Sequence, residues 1–143
     1  MVSQVKKVFC FGVFDGIHDG HIRMLHEAKA LGNELIVAIT QDQVVQKLKN
    51  HPPRLPLAKR IADIEALGIA DAVVPGDADI KMWQVLQSHQ PAVIALGYDQ
   101  ARLKDALELA IAQFSFSTEI VILQPFRPEE LHSSLLFSQA SKE

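Results

Sequence analysis

Apolar residues along the chain fall into two kinds of stretch that alternate. Residues 5–13, 34–40, 71–74, 92–96 and 120–123 are short runs rich in Val and Ile and bounded by turn residues, and they predict five strands. Between them the apolar positions recur at helical spacing: Ile22, Leu25, Ala28 and Leu31; Ile61, Ile64 and Leu67; Met82, Val85 and Leu86; Leu103, Leu107 and Ile111. The strand segments are continuously apolar rather than alternating, the pattern of a sheet covered on both faces. Strand-then-helix repetition of this kind predicts an α/β fold: one Rossmann-like, doubly wound parallel sheet of about five strands with helices on both faces. Residues 50–56, with three prolines, read as a loop, and the tail after Pro128 reads as a short terminal helix. No internal repeat or low-complexity segment interrupts the pattern.

Composition narrows this further. A chain of 143 residues with 48% hydrophobic and 22% charged side chains is sized for one domain, 1–143, that needs no disulfide or structural metal to fold. Its one cysteine, Cys10, lies in the first apolar run and reads as a small core hydrophobe. Trp83, beside Met82 and Leu86, reads as core or dimer interface. A lone cysteine, the lack of a signal-like apolar stretch and the lack of a window near ~18 apolar residues point to the cytoplasm rather than to secretion or a membrane. The formal net charge of -3 argues against nucleic acid and anionic lipid as partners. One stretch departs from that balance: residues 43–62 hold Lys47, Lys49, Arg54, Lys59, Arg60 and His51 with no carboxylate, a solvated loop and helix start unless the chain needs an anion there.

In an open α/β sheet ligands sit beyond the carboxyl ends of the strands, so the loop after the first strand is the place to look for chemistry. It reads Gly12-Val13-Phe14-Asp15-Gly16-Ile17-His18-Asp19-Gly20-His21, with the helical pattern starting at His21 or just before. Glycines and two imidazoles around a helix N-terminus suit an anion, because free backbone N–H groups and the positive end of the helix dipole face it. The histidines stand three apart, whereas chelating helical pairs usually stand four apart, and no zincin glutamate follows, so no metal ligand is expected. Neither a P-loop nor a three-glycine dinucleotide fingerprint is present.

The segments Gly12-Val13-Phe14-Asp15 and His18-Asp19-Gly20-His21 resemble the signature of the cytidylyltransferase-like nucleotidyltransferase superfamily. The resemblance runs on through about 130 residues. Lys47 and Lys49 fall at the family's lysine loop, Arg60 at its helical arginine, and Asp71-Ala72-Val73 at the aspartate before its third strand. Gly97-Tyr98-Asp99-Gln100 resembles the turn that meets the nucleotide, and Arg127 with Leu131-His132-Ser133-Ser134 resembles the arginine and serine motif near the C-terminus. Among the branches, the chain is most similar to archaeal-type FAD synthases and next to glycerol-3-phosphate cytidylyltransferases. It departs from the pattern where Leu135-Leu136 replaces a basic residue and isoleucine, where Glu130 replaces a glycine after Arg127, and where Leu57 or Ala58 stands near a missing glutamate.

What the resemblance implies is transfer of a nucleoside monophosphate from ATP or CTP, carried with Mg²⁺, to a phosphorylated acceptor such as FMN or a polyol phosphate, with release of pyrophosphate. ATP and FMN are preferred on the run Gly97-Tyr98-Asp99-Gln100. His18, His21, Lys47 and Arg60 are the expected catalytic residues, the imidazoles on the transferring phosphate and the two cations on the pyrophosphate or the acceptor phosphate. Gly12, Val13, Phe14, Asp15, Gly20, Gly97, Asp99, Arg127, Ser133 and Ser134 are the expected nucleotide-binding residues. His18 and His21 are each expected to serve rate rather than fold. A homodimer is expected, with Trp83, Phe114 and Phe116 as candidate interface residues. The rival from another class is a nucleotide-binding regulatory protein without turnover.

Overall fold

The computed structural model describes residues 6–78, 83–97 and 100–123. Five strands, β1 (Lys7–Gly12), β2 (Glu34–Ile39), β3 (Ala72–Pro75), β4 (Val93–Leu96) and β5 (Glu119–Ile122), pair in parallel in the order β3-β2-β1-β4-β5. They are joined by helices α1 (Asp19–Lys29), α2 (Asp42–Lys49), α3 (Leu57–Ala66), α4 (Gln84–His89) and α5 (Ala101–Ile111). The sheet is the expected one. Its order reverses at β1, because the chain moves outward to β2 and β3 and then returns to β4 on the other side. The two connections leaving β1 and β4 therefore part there and open a crevice at the carboxyl ends of both strands.

Successive strand residues face opposite sides of the sheet, so each apolar run supplies two cores at once. Val8, Cys10, Leu35, Val37, Ile39, Val93 and Ala95 pack on one face with Leu25 and Ala28 of α1 and Ile64 of α3. Phe9, Ile36, Ala38, Ile94 and Leu96 pack on the other with Leu86 of α4 and Leu107 of α5. Cys10 is fully buried, and burial pushes its thiol up to about 12, so it is an inert core residue as expected. Trp83 belongs to the second core and meets the Phe11 ring edge-on at 6.4 Å, which removes it from the candidate interface. It stands in the left-handed region (φ 56°) just before α4 rather than within a helix. No helix among the described residues is long and apolar enough to cross a membrane.

One element was not expected. Lys47 and Lys49 lie on α2 rather than on a loop, and Val44 and Val45 bury its inner side. The helix is short and its apolar face rests on two β-branched residues, a weak helical signal. Its end was more legible: Asn50 adopts the left-handed conformation (φ 61°) and closes the helix through its N–H to the Gln46 carbonyl, a position that favours Gly or Asn.

Arg60 is the largest correction. Its side chain is fully buried beneath the β1 and β2 ends, instead of reaching toward a phosphate. Nε donates to Leu55 O at 2.9 Å, Nη1 donates to Val13 O at 2.9 Å and Thr40 O at 2.7 Å, and Nη2 donates to the Asp42 carboxylate. A guanidinium has five N–H donors, and these bonds occupy most of them. Arg60 therefore joins the loop after β1, the β2–α2 junction and the proline-rich loop through one planar group.

Arg60→Ala leaves three carbonyls without their donor and Asp42 without its counter-ion, and the expected loss is on the order of 3 kcal/mol of unfolding free energy. Arg60→Lys recovers only part of it, because an ammonium cannot span the fork. Urea denaturation of the two variants checks this; a wild-type midpoint for Arg60→Ala returns the side chain to a ligand-binding role.

Candidate active site

The loop from β1 to α1 is shaped by its own side chains. Gly12 ends the strand, and a Cβ there would lie 2.3 Å from the Phe14 ring, so the glycine makes room for that ring to fold back into the core. Phe14 is buried, occupies the left-handed region (φ 52°), and meets the His21 ring edge-on at 5.2 Å. A non-glycine residue held there stores backbone strain of about 1–3 kcal/mol, offset here by burial of an aromatic ring. Gly12, Val13 and Phe14 thus serve as scaffold: Val13 offers its carbonyl to Arg60, and Phe14 sets the His21 ring.

His18 is the N-cap of α1, and the two histidines cap the helix reciprocally. The Gly20 N–H donates to His18 Nδ1 at 3.1 Å, and the His18 N–H donates to His21 Nδ1 at 3.2 Å. The rings stack with centroids 3.8 Å apart and planes 25° from parallel. This changes how the helix end works. Two N–H groups at the helix end, those of His18 and Gly20, are bonded to imidazoles, and a nitrogen that accepts carries no proton. Each neutral ring is therefore the Nε2–H tautomer, with its donor turned away from the amides. The two stacked rings thus cover the positive end of the helix dipole. It follows that the histidines also serve the fold, because removing an N-cap side chain costs about 1 kcal/mol.

Asp15 acts as a tether between two loops. Its carboxylate accepts the backbone N–H of Arg54 at 2.7 Å and of Leu55 at 2.8 Å, and its carbonyl accepts Arg54 Nη2 at 2.9 Å. Burial acts to raise this carboxyl, but the Arg54 and Leu55 N–H bonds and the Arg54 and Arg60 charges outweigh it and hold the group below its usual range. The tether is therefore intact above the ordinary carboxylate range and is lost as pH falls through the lowered value. On the other side of the crevice, Gly97 N–H donates to Gln100 Oε1 at 2.7 Å and Gln100 Nε2 donates to Phe11 O at 3.4 Å. Gln100 thus pins the β4 turn to the end of β1, a role its sequence did not announce.

The basic stretch is divided by the fold. Lys59 pairs with Asp63 at 2.8 Å, Arg60 is buried, and Lys47 and Lys49 are exposed on α2 with no ion-pair partner among the described residues. Asp99, Arg127, Ser133 and Ser134 lie outside the described residues, as do Tyr98, Met82 and the tail after Pro128. Among the described residues no group of three His, Cys, Asp or Glu side chains is placed to hold a metal. The site thus consists of two stacked imidazoles at a helix N-terminus, at the carboxyl end of β1 where the sheet order reverses. That inventory matches an anion with charge spread over several oxygens, such as a phosphate undergoing transfer.

Comparison with known proteins agrees. The Cytidylyltransferase-like family model matches residues 9–138. The FAD synthase of Ferroglobus placidus is 36% identical over 131 residues, 91% of this chain and 84% of that protein. The FAD synthase of Thermococcus sibiricus is 33% identical over 115 residues, 80% of this chain and 78% of that protein. Among solved structures, the lipopolysaccharide core biosynthesis protein of Thermoplasma volcanium superposes with a TM-score of 0.79 at 30% identity, covering 87% of this chain and all of that one. A pantoate-beta-alanine ligase from Francisella tularensis, with a TM-score of 0.63 at 16% identity over 86% of this chain and 60% of that one, shares the fold. With a family match that begins in β1 and takes in both histidines, and relatives aligned over most of both chains, this chain belongs to the cytidylyltransferase-like family and is a nucleotidyltransferase.

Proposed function

We propose that the protein is an ATP:FMN adenylyltransferase, an FAD synthase, working as one nucleotidyltransferase domain over 1–143 in the cytoplasm. The observation that carries the reaction class is the reciprocal cap, which holds two stacked imidazoles at the N-terminus of α1. The substrate assignment rests on relatives named FAD synthase at 30% identity or more over most of both chains. In the reaction a phosphate oxygen of FMN attacks the α-phosphorus of ATP. A new P–O bond forms, the bond from the α-phosphorus to the bridging oxygen breaks, and pyrophosphate leaves with that electron pair. The nucleophile is already an anion, so no general base is needed. What the protein must supply is juxtaposition of two polyanions and donors for the charge that builds on the transferring phosphate.

His18 and His21 supply those donors. Lys47, and Lys49 two residues on, are the mobile cations for the pyrophosphate or the acceptor phosphate. Gly20, the second residue of α1 and without a side chain, lets the phosphate come close to the helix end. Gly97 holds the β4 turn open for the nucleotide, with Asp99 on its ribose or base. Arg127, Ser133 and Ser134 complete the triphosphate contacts. Mg²⁺ enters as part of the nucleotide substrate.

With ATP and FMN the expected products are FAD and pyrophosphate, and CTP with FMN or with glycerol 3-phosphate gives far less. Chromatographic detection of FAD beside a pyrophosphate assay checks this. Pyrophosphate from CTP and glycerol 3-phosphate, with none from ATP and FMN, overturns the substrate assignment and leaves the transfer site standing.

His18→Asn isolates the donor from the cap. Asparagine is a good N-cap but lacks Nε2–H, so turnover should fall ~10²- to 10³-fold with the unfolding midpoint near wild type. His18→Ala loses the cap as well and should unfold about 1 kcal/mol sooner. Wild-type turnover in His18→Asn refutes the donor role.

A homodimer is the proposed assembly, with the stacked Phe114 and Phe116 rings, 5.1 Å apart, and the 79% exposed Leu109 as its apolar contacts. Light scattering at micromolar concentration should give about twice the 15.8 kDa chain mass; a monomer mass rejects it.

A further inference from the structure

Arg54 is the exposed cation of the basic stretch that the fold ties to the histidine loop, and beyond its through-space support of the Asp15 carboxylate its guanidinium meets one acceptor among the described residues. Its Nη2 donates to the Asp15 carbonyl at 2.9 Å. The group lies directly over Gly16: a Cβ on that residue, whose φ is +101°, would stand 2.7 Å from Arg54 Nη2. Gly16 is two residues from His18. A guanidinium carries five N–H donors, and among the described residues the carbonyl of Asp15 is the acceptor that this one meets.

The neighbouring carboxylate does not cover the charge by direct contact. Both Asp15 oxygens are taken by main-chain N–H groups, those of Arg54 and Leu55. The guanidinium has turned to a neutral carbonyl instead and is exposed. The other arginine of the stretch is buried and bonded, and Lys59 is paired with Asp63. An exposed, planar, always charged fork, fixed at one corner to the loop that holds the imidazoles, is suited to two oxygens of one phosphate.

We propose that Arg54 is a further binding residue of the site, contributing a two-pronged contact to a phosphate of the bound substrates, whether from the nucleotide or from the acceptor. The inference rests on the loop being a phosphate site. It does not require that the acceptor is FMN.

The main-chain origin of the tether makes the test clean. Arg54→Ala removes the guanidinium but keeps the two N–H groups that bind Asp15, so the loops stay joined and the unfolding midpoint should hold within about 2 °C. The expected result is a loss of ~10- to 100-fold in kcat/KM, the scale of one charge-assisted contact, seen as a raised KM for ATP or for FMN; which of the two rises names the phosphate. Arg54→Lys should recover part, keeping charge without the fork. Lys59→Ala, which removes a positive charge from the same stretch away from the histidine loop, should behave as wild type. Calorimetric titration of inorganic pyrophosphate into wild type and Arg54→Ala supplies a readout independent of turnover. If wild type forms no FAD, the acceptor assignment falls, and weaker pyrophosphate binding by Arg54→Ala still upholds the contact. Unchanged kcat/KM and unchanged pyrophosphate affinity in Arg54→Ala overturn the proposal, as does an equal loss in Lys59→Ala, which would make the effect one of net charge.

Discussion

The site depends on a buried charge. Three segments that are far apart in the chain, the loop after β1, the start of α2 and the proline-rich turn before α3, meet on the guanidinium of Arg60. Burying a full charge is unfavourable unless its donors are satisfied, so the arrangement of those carbonyls is specified tightly: a shift of any segment strands a donor in a dry interior. The Asp15 tether adds a second tie between two of the same segments at the surface. Together they fix the loop carrying His18 and His21 relative to the lysines of α2, which is the relation a transfer reaction between two polyanions needs.

Above this base, the helix end is built to act at a distance. A bare N-terminus would offer amides directly, with water competing for each. The reciprocal histidine cap satisfies the His18 and Gly20 N–H groups within the protein and dictates the tautomer of each neutral ring. Phe14, driven into the core and accepting an unfavourable backbone conformation, packs edge-on against the His21 ring. Fold and chemistry share the same atoms here, so the two roles of each histidine separate only through substitutions that keep an acceptor while removing a donor.

The chain by itself determined the sheet and the address of the site. Five apolar runs with helical spacing between them leave few ways to bury both faces of each strand, and the parallel sheet followed. The glycines and histidines after the first strand marked the crevice because their chemistry is local: a cap, a tight turn and an anion site are decided within ten residues. Tertiary structure decided everything that depends on which segments meet. Arg54 and Arg60 lie six residues apart in one basic stretch and looked alike in sequence, yet one is exposed on the histidine loop and the other is buried under it. Asp15 reads as a ligand in the motif, but its partners, the amides of Arg54 and Leu55, are 39 and 40 residues away. A side chain's charge is written in the sequence, whereas the work that charge does depends on the dielectric around it and the groups within hydrogen-bond reach, and those are set only when distant segments pack together.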